Sequence, residues 1–322
     1  MTFPFDRADP ESAVAEMAAR CSNWGRWGEH DVRGTLNHLD EAKRREAAAL
    51  VRRGAVFSLA QRFDVDGPQR GWRRRTNPVH TMLDTGTDAA AGKQGFPHGI
   101  GGADDVVSMP LQCSTQWDGL GHIFDHAKAW NGRPAEEVVT AAGDHVTGIE
   151  TVADGFTGRA VLLDAGRALG TGGELPDGYA ITAQELTEIA ERQGSPVGRG
   201  DIALVRTGQL ARARRDGWGT YAGGPAPGLS FTTAEWLHGT EIAAVATDTW
   251  GVEVRPNEFD DAFQPLHQVA IPHIGLFLGE MWDLDALAAD CAEDGQHAFL
   301  LTAAPIPITG AVGAPVNPIA VK

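Results

Sequence analysis

Hydrophobic and polar residues follow two different arrangements along this chain. Near the N-terminus, "ESAVAEMAAR" is rich in Ala and Glu, and "DEAKRREAAALVRRG" opens with a capping Asp40, carries basic residues late and stops at Gly54. Both predict surface helices, in an N-terminal helical section of about residues 1–54. Apolar runs of strand length then recur, in "AVFSLAQRF" near 55, "RAVLLD" near 159, "DIALVRTG" near 201, "IAAVATDT" near 242, "HIGLFLG" near 273 and "AFLLTAAP" near 298. Between several of them, Thr182 with Glu185 and Thr232 with Glu235 have the S/T-x-x-E spacing that opens a helix. Strands and helices thus alternate in the second half. A strand apolar on both faces must be covered on both, so the pattern predicts an α/β fold with a mostly buried sheet.

The stretch from about 66 to 110 breaks this rhythm. "DGPQRGWRRRTNP" and "DTGTDAAAGKQGFPHGIGGADD" are dense in Gly, Pro, Asp and Arg and predict long loops of the kind that serve as lids or oligomer contacts. No internal repeat and no Pro/Ser linker divides the chain, so residues 1–322 are expected to form one domain.

Composition narrows the function. A hydrophobic fraction of 42% and a charged fraction of 22% over 322 residues are those of a soluble globular protein. The 43 acidic against 27 basic residues give a formal charge of −16, which repels phosphate backbones and anionic membrane surfaces, so neither nucleic acid nor membrane is an expected partner. The dense basic run, Arg73 to Arg75, reads as a solvated loop more than as an anion site. No apolar stretch reaches the roughly 18 to 20 residues of a membrane span, and the acidic start "MTFPFDRADPESAV" is unlike a secretory signal. Cys21, Cys113 and Cys291 are odd in number and widely spaced, without a C-x-x-C pair. A cytoplasmic address with reduced thiols is expected.

The fingerprints of dinucleotide, nucleotide, serine-hydrolase and zincin sites are missing. What remains is "LQCSTQWDGLGH", in which Gln112, Gln116, Asp118 and His122 form Q-x3-Q-x-D-x3-H. All four side chains can bind a metal, accept a proton or orient a substrate. In an extended strand residues 112 and 116 would lie about 13 Å apart, so the segment must turn for both to reach one ion. Gly119 and Gly121 permit a turn beyond Asp118, but no glycine lies between the glutamines. Cys113 beside a strand reads as a small buried hydrophobe rather than a nucleophile.

"MPLQCSTQWDGLGH" followed by "AWNG" resembles the signature of the putative cyclase superfamily, metal-dependent hydrolases that include kynurenine formamidases, isatin hydrolases and trans-dienelactone hydrolase. The superfamily segment H-x-G-T-H-x-D-x-P-x-H corresponds here to Gln112, Ser114, Thr115, Gln116, Asp118, Leu120 and His122. "WGRWGEHDVRGTLNHL", "GRAVLLD", "DIALVRTG", "VATDTWG", "PLHQVAIPHIGLFLGEMWDLDAL" and "APIPITGAVGAPVNPIAV" are similar to further family blocks, in the family's order. Both metal-binding histidines of the formamidase signature are glutamines in this chain. An amide oxygen is a weaker, harder ligand than imidazole, which lowers affinity for zinc and favours manganese, magnesium or calcium by comparison. The Q-x-[GS]-T-Q-W-D form is similar to the branch that trans-dienelactone hydrolase resembles.

The resemblance implies a swivelling β/β/α cyclase-like fold with a mixed sheet. It also implies a divalent metal, manganese or zinc, held by Asp118, His267 and Glu280 with Gln116 and Gln112. His122, His267 and Glu280 become the catalytic residues, with His122 handling the proton. Trp117, Gln112, His80 and His98 are expected to bind substrate, with Asp104 and Asp105 near the entrance; Trp117, Trp130 and Trp250 either form an aromatic wall or, as is the default for each, pack in the core. The expected activity is hydrolysis of a cyclic amide, lactone, imide or N-acyl bond of a small molecule by a homodimer or homotetramer. A metal-independent cyclase or dehydratase using the same pocket, and a non-catalytic small-molecule binder, are the alternatives.

Overall fold

The computed structural model describes residues 5–322. In chain order its longer strands are β1 (Val56–Ser58), β2 (Val79–Asp84), β3 (Asp104–Ser108), β4 (Gln116–Asp118), β5 (Thr157–Asp164) and β6 (Ile202–Arg206). They continue with β7 (Ala244–Thr247), β8 (Phe277–Glu280), β9 (Ala298–Thr302), β10 (Gly313–Pro315) and β11 (Ile319–Val321). Nine of them form one mixed sheet in the order β1-β11-β9-β5-β6-β7-β8-β4-β10. The four central strands β5, β6, β7 and β8 are parallel, and the flanking strands run antiparallel to their inner neighbours.

Alternation along each central strand builds two separate cores. Val161, Leu163, Ala203, Val205, Val245 and Leu278 point to one face, which the helices Pro10–Cys21, Ala183–Arg192, Ala234–Gly239 and Pro265–Val269 cover. Ala160, Leu162, Ile202, Leu204, Ala246 and Phe277 point to the other, where they meet Trp117, Trp130, Phe156, Trp282 and the helix Asp285–Asp294. The strands expected near 159, 201, 242 and 298 are therefore present, the first three buried on both faces and the last half-buried at Leu300 and Thr302. The run near 273 becomes a strand only from Phe277, because Ala270–Ile274 is a π-helical turn.

Local signals are obeyed unevenly. Asp40 accepts the Lys43 N–H, although its helix, Glu41–Ala48, ends well before Gly54. Thr182 and Glu185 form a reciprocal capping box. Thr232 caps nothing: Ser230 accepts its N–H in a 3₁₀ turn, and Glu235 pairs with Arg20 at 2.7 Å instead. The expectation of loops throughout 66–110 is also corrected. β2 and β3 pair with each other as a hairpin, and Gly86–Ala90 is a helical turn closed by a Thr85–Asp88 capping box. The β-branched and extended-favouring residues of "VHTMLD" and "DDVVS" outweigh the glycines, which within the hairpin are confined to the tip. All eleven hairpin residues are exposed, Leu83 at 64% and Val107 at 50%. Among the described residues no helix is long and apolar enough to cross a membrane.

One contact fixes the strand that carries the site. A Cβ on Gly279 would fall 2.5 Å from the Ala246 side chain and 2.9 Å from the Trp117 ring, so only glycine lets β8 lie under the buried indole. Gly279→Ala is expected to destabilise the fold by about 1 to 3 kcal/mol by overpacking, measured by urea unfolding; an unchanged midpoint would contradict it. A second expectation concerns His38, buried with neither ring nitrogen hydrogen-bonded. Burial, helped by Arg26, pushes its pKa down to about 4. The unfolded chain therefore takes up this proton first as pH falls from about 6.5, and stability is lost through that window. Between pH 7 and 4.5 the wild type should lose about 2 to 3 kcal/mol more than His38→Leu, and parallel losses in the two proteins would refute it.

Candidate functional site

β4 and β8 lie antiparallel, with Gln116 opposite Glu280 and Asp118 opposite Leu278. Alternate side chains of a strand share a face, so Gln116, Asp118 and Glu280 project together. His267 comes from the helix Pro265–Val269, which begins at a proline and runs on into the π-helical turn. Single ligand atoms from Asp118, His267 and Glu280 all lie within 4.8 Å of one another, and all three residues are buried.

Hydrogen bonds hold this group together. His267 Nε2 lies 3.3 Å from Glu280 Oε1, while its Nδ1 lies 2.5 Å from Glu253 Oε1. Glu253, itself buried, also accepts the backbone N–H groups of Leu266 and His267 at 3.1 and 3.0 Å. The Gln116 side-chain nitrogen donates to both carboxylates, to Asp118 Oδ1 at 3.2 Å and Glu280 Oε2 at 2.9 Å. Its oxygen, Oε1, is buried without a partner. His122 Nε2 stands 3.7 Å from Asp118 Oδ1.

Packing these charges away from water shifts their proton affinities. Burial, then repulsion from Asp118, push Glu280 up to about 7. Burial alone would depress His267, but its contacts with Glu253 and Glu280 outweigh that and raise it to about 10. Burial lowers His122, against the pull of Asp118, so its ring is neutral at pH 7. Three residues beside the site hold left-handed backbone without being glycine: Val252 (φ 52°), Gln264 (φ 56°) and Met281 (φ 59°). Each such residue costs about 1 to 3 kcal/mol. They immediately precede Glu253, introduce the His267 helix and follow Glu280, so strain is concentrated where these side chains are aimed.

Of the residues singled out from the sequence, Gln116, Asp118, His122, His267 and Glu280 meet here. Leu111 to Thr115 turn without a glycine, through a Cys113 N–H bond to the Pro110 carbonyl at 3.2 Å. Gln112 has a buried, unbonded amide nitrogen against Gly313, the strand partner of Asp118, and no hydrogen bond to the triad. Trp117 is not a substrate wall. The alternation that turns Gln116 and Asp118 to the site turns its indole to the opposite core, stacked on Phe156 at 4.7 Å and bonded to the Ala303 carbonyl. Trp130 is likewise core, bonded to Asp31. His80 and His98 are exposed, on β2 and in the turn before β3; His80 pairs with Asp105, and neither touches the site. Burial pushes the Cys113 thiol up to about 11, which suits a buried hydrophobe. The residue that sequence reasoning missed is Glu253, in "WGVEVRP", where nothing in the spacing links it to a histidine fourteen positions later.

A family model described as "Putative cyclase" matches residues 33–254. A crystal structure described as a novel cyclase is 39% identical, with a TM-score of 0.86 over 95% of this chain and 99% of that one. Isatin hydrolase A from Ralstonia solanacearum is 17% identical, with a TM-score of 0.62 over 83% of this chain and 92% of its own. Isatin hydrolase A from Labrenzia aggregata, bound to benzyl benzoate, is 18% identical, with a TM-score of 0.59 over 85% and 94%. No curated protein matches the chain. The cyclase-like fold with a mixed, mostly buried sheet, implied by the family resemblance, is the one observed.

Glu253 fixes the ring of His267 from behind, so removing its charge should weaken whatever Nε2 binds. Glu253→Gln is expected to lower affinity for Mn²⁺ by about 10- to 100-fold in a calorimetric titration. Unaltered affinity in a folded variant would refute the assignment.

Proposed function

Because the chain belongs to the putative cyclase family, we propose that it is a hydrolase that opens a cyclic amide, lactone or imide, or cleaves an N-acyl bond, with the help of a divalent cation. The observation that carries this reading is the convergence of two buried carboxylates and an oriented imidazole within 4.8 Å. These groups fit a cation. Two neighbouring carboxylates in a dry setting call for positive charge, Glu253 leaves His267 Nε2 facing them, and the unpartnered Gln116 Oε1 is a further hard donor. Asp118, His267 and Glu280 would hold the ion with Gln116 beside them, a mixed oxygen and nitrogen set that suits manganese or zinc. Such an ion supplies polarisation of the carbonyl and acidification of the attacking water.

The remaining chemistry falls to the chain's own groups. His122, neutral and beside Asp118, accepts the proton of the attacking water and returns it to the leaving nitrogen or oxygen. Asp118 stabilises the imidazolium between these two events. That the fold is shared with isatin hydrolases agrees with a hydrolytic role.

One observation favours a second reading. The Gln116 amide nitrogen already bonds both carboxylates, and a protonated His267 supplies one positive charge, so the same pocket has the groups of a metal-independent acid–base site. Elemental analysis of protein purified without chelators separates the two readings.

Turnover of a panel of lactones, cyclic amides and imides tests the proposal. Chelation should abolish hydrolysis and Mn²⁺ or Zn²⁺ restore it, while His122→Ala should reduce kcat by about 10²- to 10⁴-fold. Near wild-type turnover by His122→Ala would overturn the role of that residue, and hydrolysis that survives chelation would overturn the metal.

A further inference from the structure

Residues 79 to 108, the hairpin of β2 and β3 with its tip, stand apart from the rest of the chain. None of these 30 residues is buried. Among the described residues their hydrogen bonds, from the His80–Asp105 pair to the Gln94 bonds that close the tip, all stay within the segment. A lone two-stranded hairpin is marginal in water, so a ribbon this exposed needs a surface to lie on.

Register makes that need two-sided. Val79 lies opposite Ser108 and Thr81 opposite Val106, which puts Val79 and Val106 on one face; Met82 and Val107 share the other. Seven of the fourteen large apolar side chains exposed among the described residues fall in this segment, with Leu83 at 64% and Ile100 at 68%. Single exposed apolar residues are ordinary, but so many on one short arm mark an interaction surface.

Unpaired charge says what covers it. Asp84 and Asp104 face each other across the strands, where like charges repel. Among the described residues neither has an ion pair or a side-chain hydrogen bond. At the foot of the hairpin Arg73 and Arg74 are exposed, and their guanidinium groups are likewise without an ion pair or hydrogen bond among the described residues. The extended strand holds Asp84 about 17 Å from Val79, so the arm carries its carboxylates away from the arginines that precede it. A surface with unpaired acid at one end and unpaired base at the other complements itself when a second copy is turned about a two-fold axis. Its extent is also sufficient, since one side of a standard interface uses about 20 to 30 residues. The four aspartates and single lysine of the segment set an anionic membrane surface aside. We propose that the hairpin is a dimerisation arm that lies on a second copy of this chain, with Asp84 and Asp104 of each copy against Arg73 and Arg74 of the other.

Sedimentation equilibrium of the 322-residue protein at micromolar concentration tests this. The wild type should sediment at twice the 34.2 kDa of one chain or a multiple of that. Leu83→Asp combined with Val107→Asp should raise the dissociation constant at least about 30-fold, the scale of losing central apolar contacts, with an unchanged circular dichroism spectrum. Charge reversal then identifies the occupant. Arg73→Glu/Arg74→Glu and Asp84→Lys/Asp104→Lys should each associate weakly alone, and an equimolar mixture should recover the dimer, because in the mixed pair every foot meets an arm of opposite charge. A monomeric wild type overturns the proposal, as does a folded Leu83→Asp/Val107→Asp variant that associates like the wild type. Reversed variants that stay apart when mixed overturn the arm-to-foot pairing and with it the choice of a second copy as the occupant.

Discussion

Two carboxylates buried side by side are the constraint around which the site is arranged. Asp118 and Glu280 reach the same small volume from adjacent antiparallel strands, where water cannot screen them. Left alone, one of the two would remain protonated at neutral pH, and Glu280 is already pushed up to about 7. Every neighbouring group answers this condition. His267 lies against Glu280 and is kept basic by Glu253 behind it, the Gln116 amide bridges both carboxylates, and Arg75 stands farther out.

The scaffold meets the requirement by concentrating irregular backbone at the ends of regular strands. Four parallel strands, buried on both faces, give a rigid floor, and ligand sites in such sheets collect where the strands end. Glu280 is the last residue of its strand, and Met281 directly after it is left-handed. Val252 and the π-helical turn after His267 are similar departures, each next to a functional side chain. Local preference is overridden at these points, and the cost is carried by the packed sheet beneath.

Much of this was legible in the sequence, for reasons that differ from element to element. The central strands announce themselves because runs such as "AVLL" and "IALV" are apolar without alternation, which only a doubly covered strand tolerates. Convergence of Asp118 with His267 and Glu280 could not be read from spacing, since it depends on strand order. It came from family resemblance, and the geometry agrees. Trp117 could have been placed correctly by period-two reasoning alone: if residues 116 and 118 face the site, 117 cannot. Glu253 left no local trace, because a hydrogen-bond partner fourteen positions away is a property of the folded chain. In the hairpin of β2 and β3, the density of glycine at the tip masked two ordinary extended segments.

The amide of Gln116 has a consequence that an imidazole at the same place would not have. Its nitrogen and oxygen are nearly equal in size, and the oxygen is spare. A half-turn about one side-chain bond exchanges a donor that reconciles two negative neighbours for an acceptor that would aggravate them. With a cation bound, the same amide would present its oxygen by turning about its own side-chain bond.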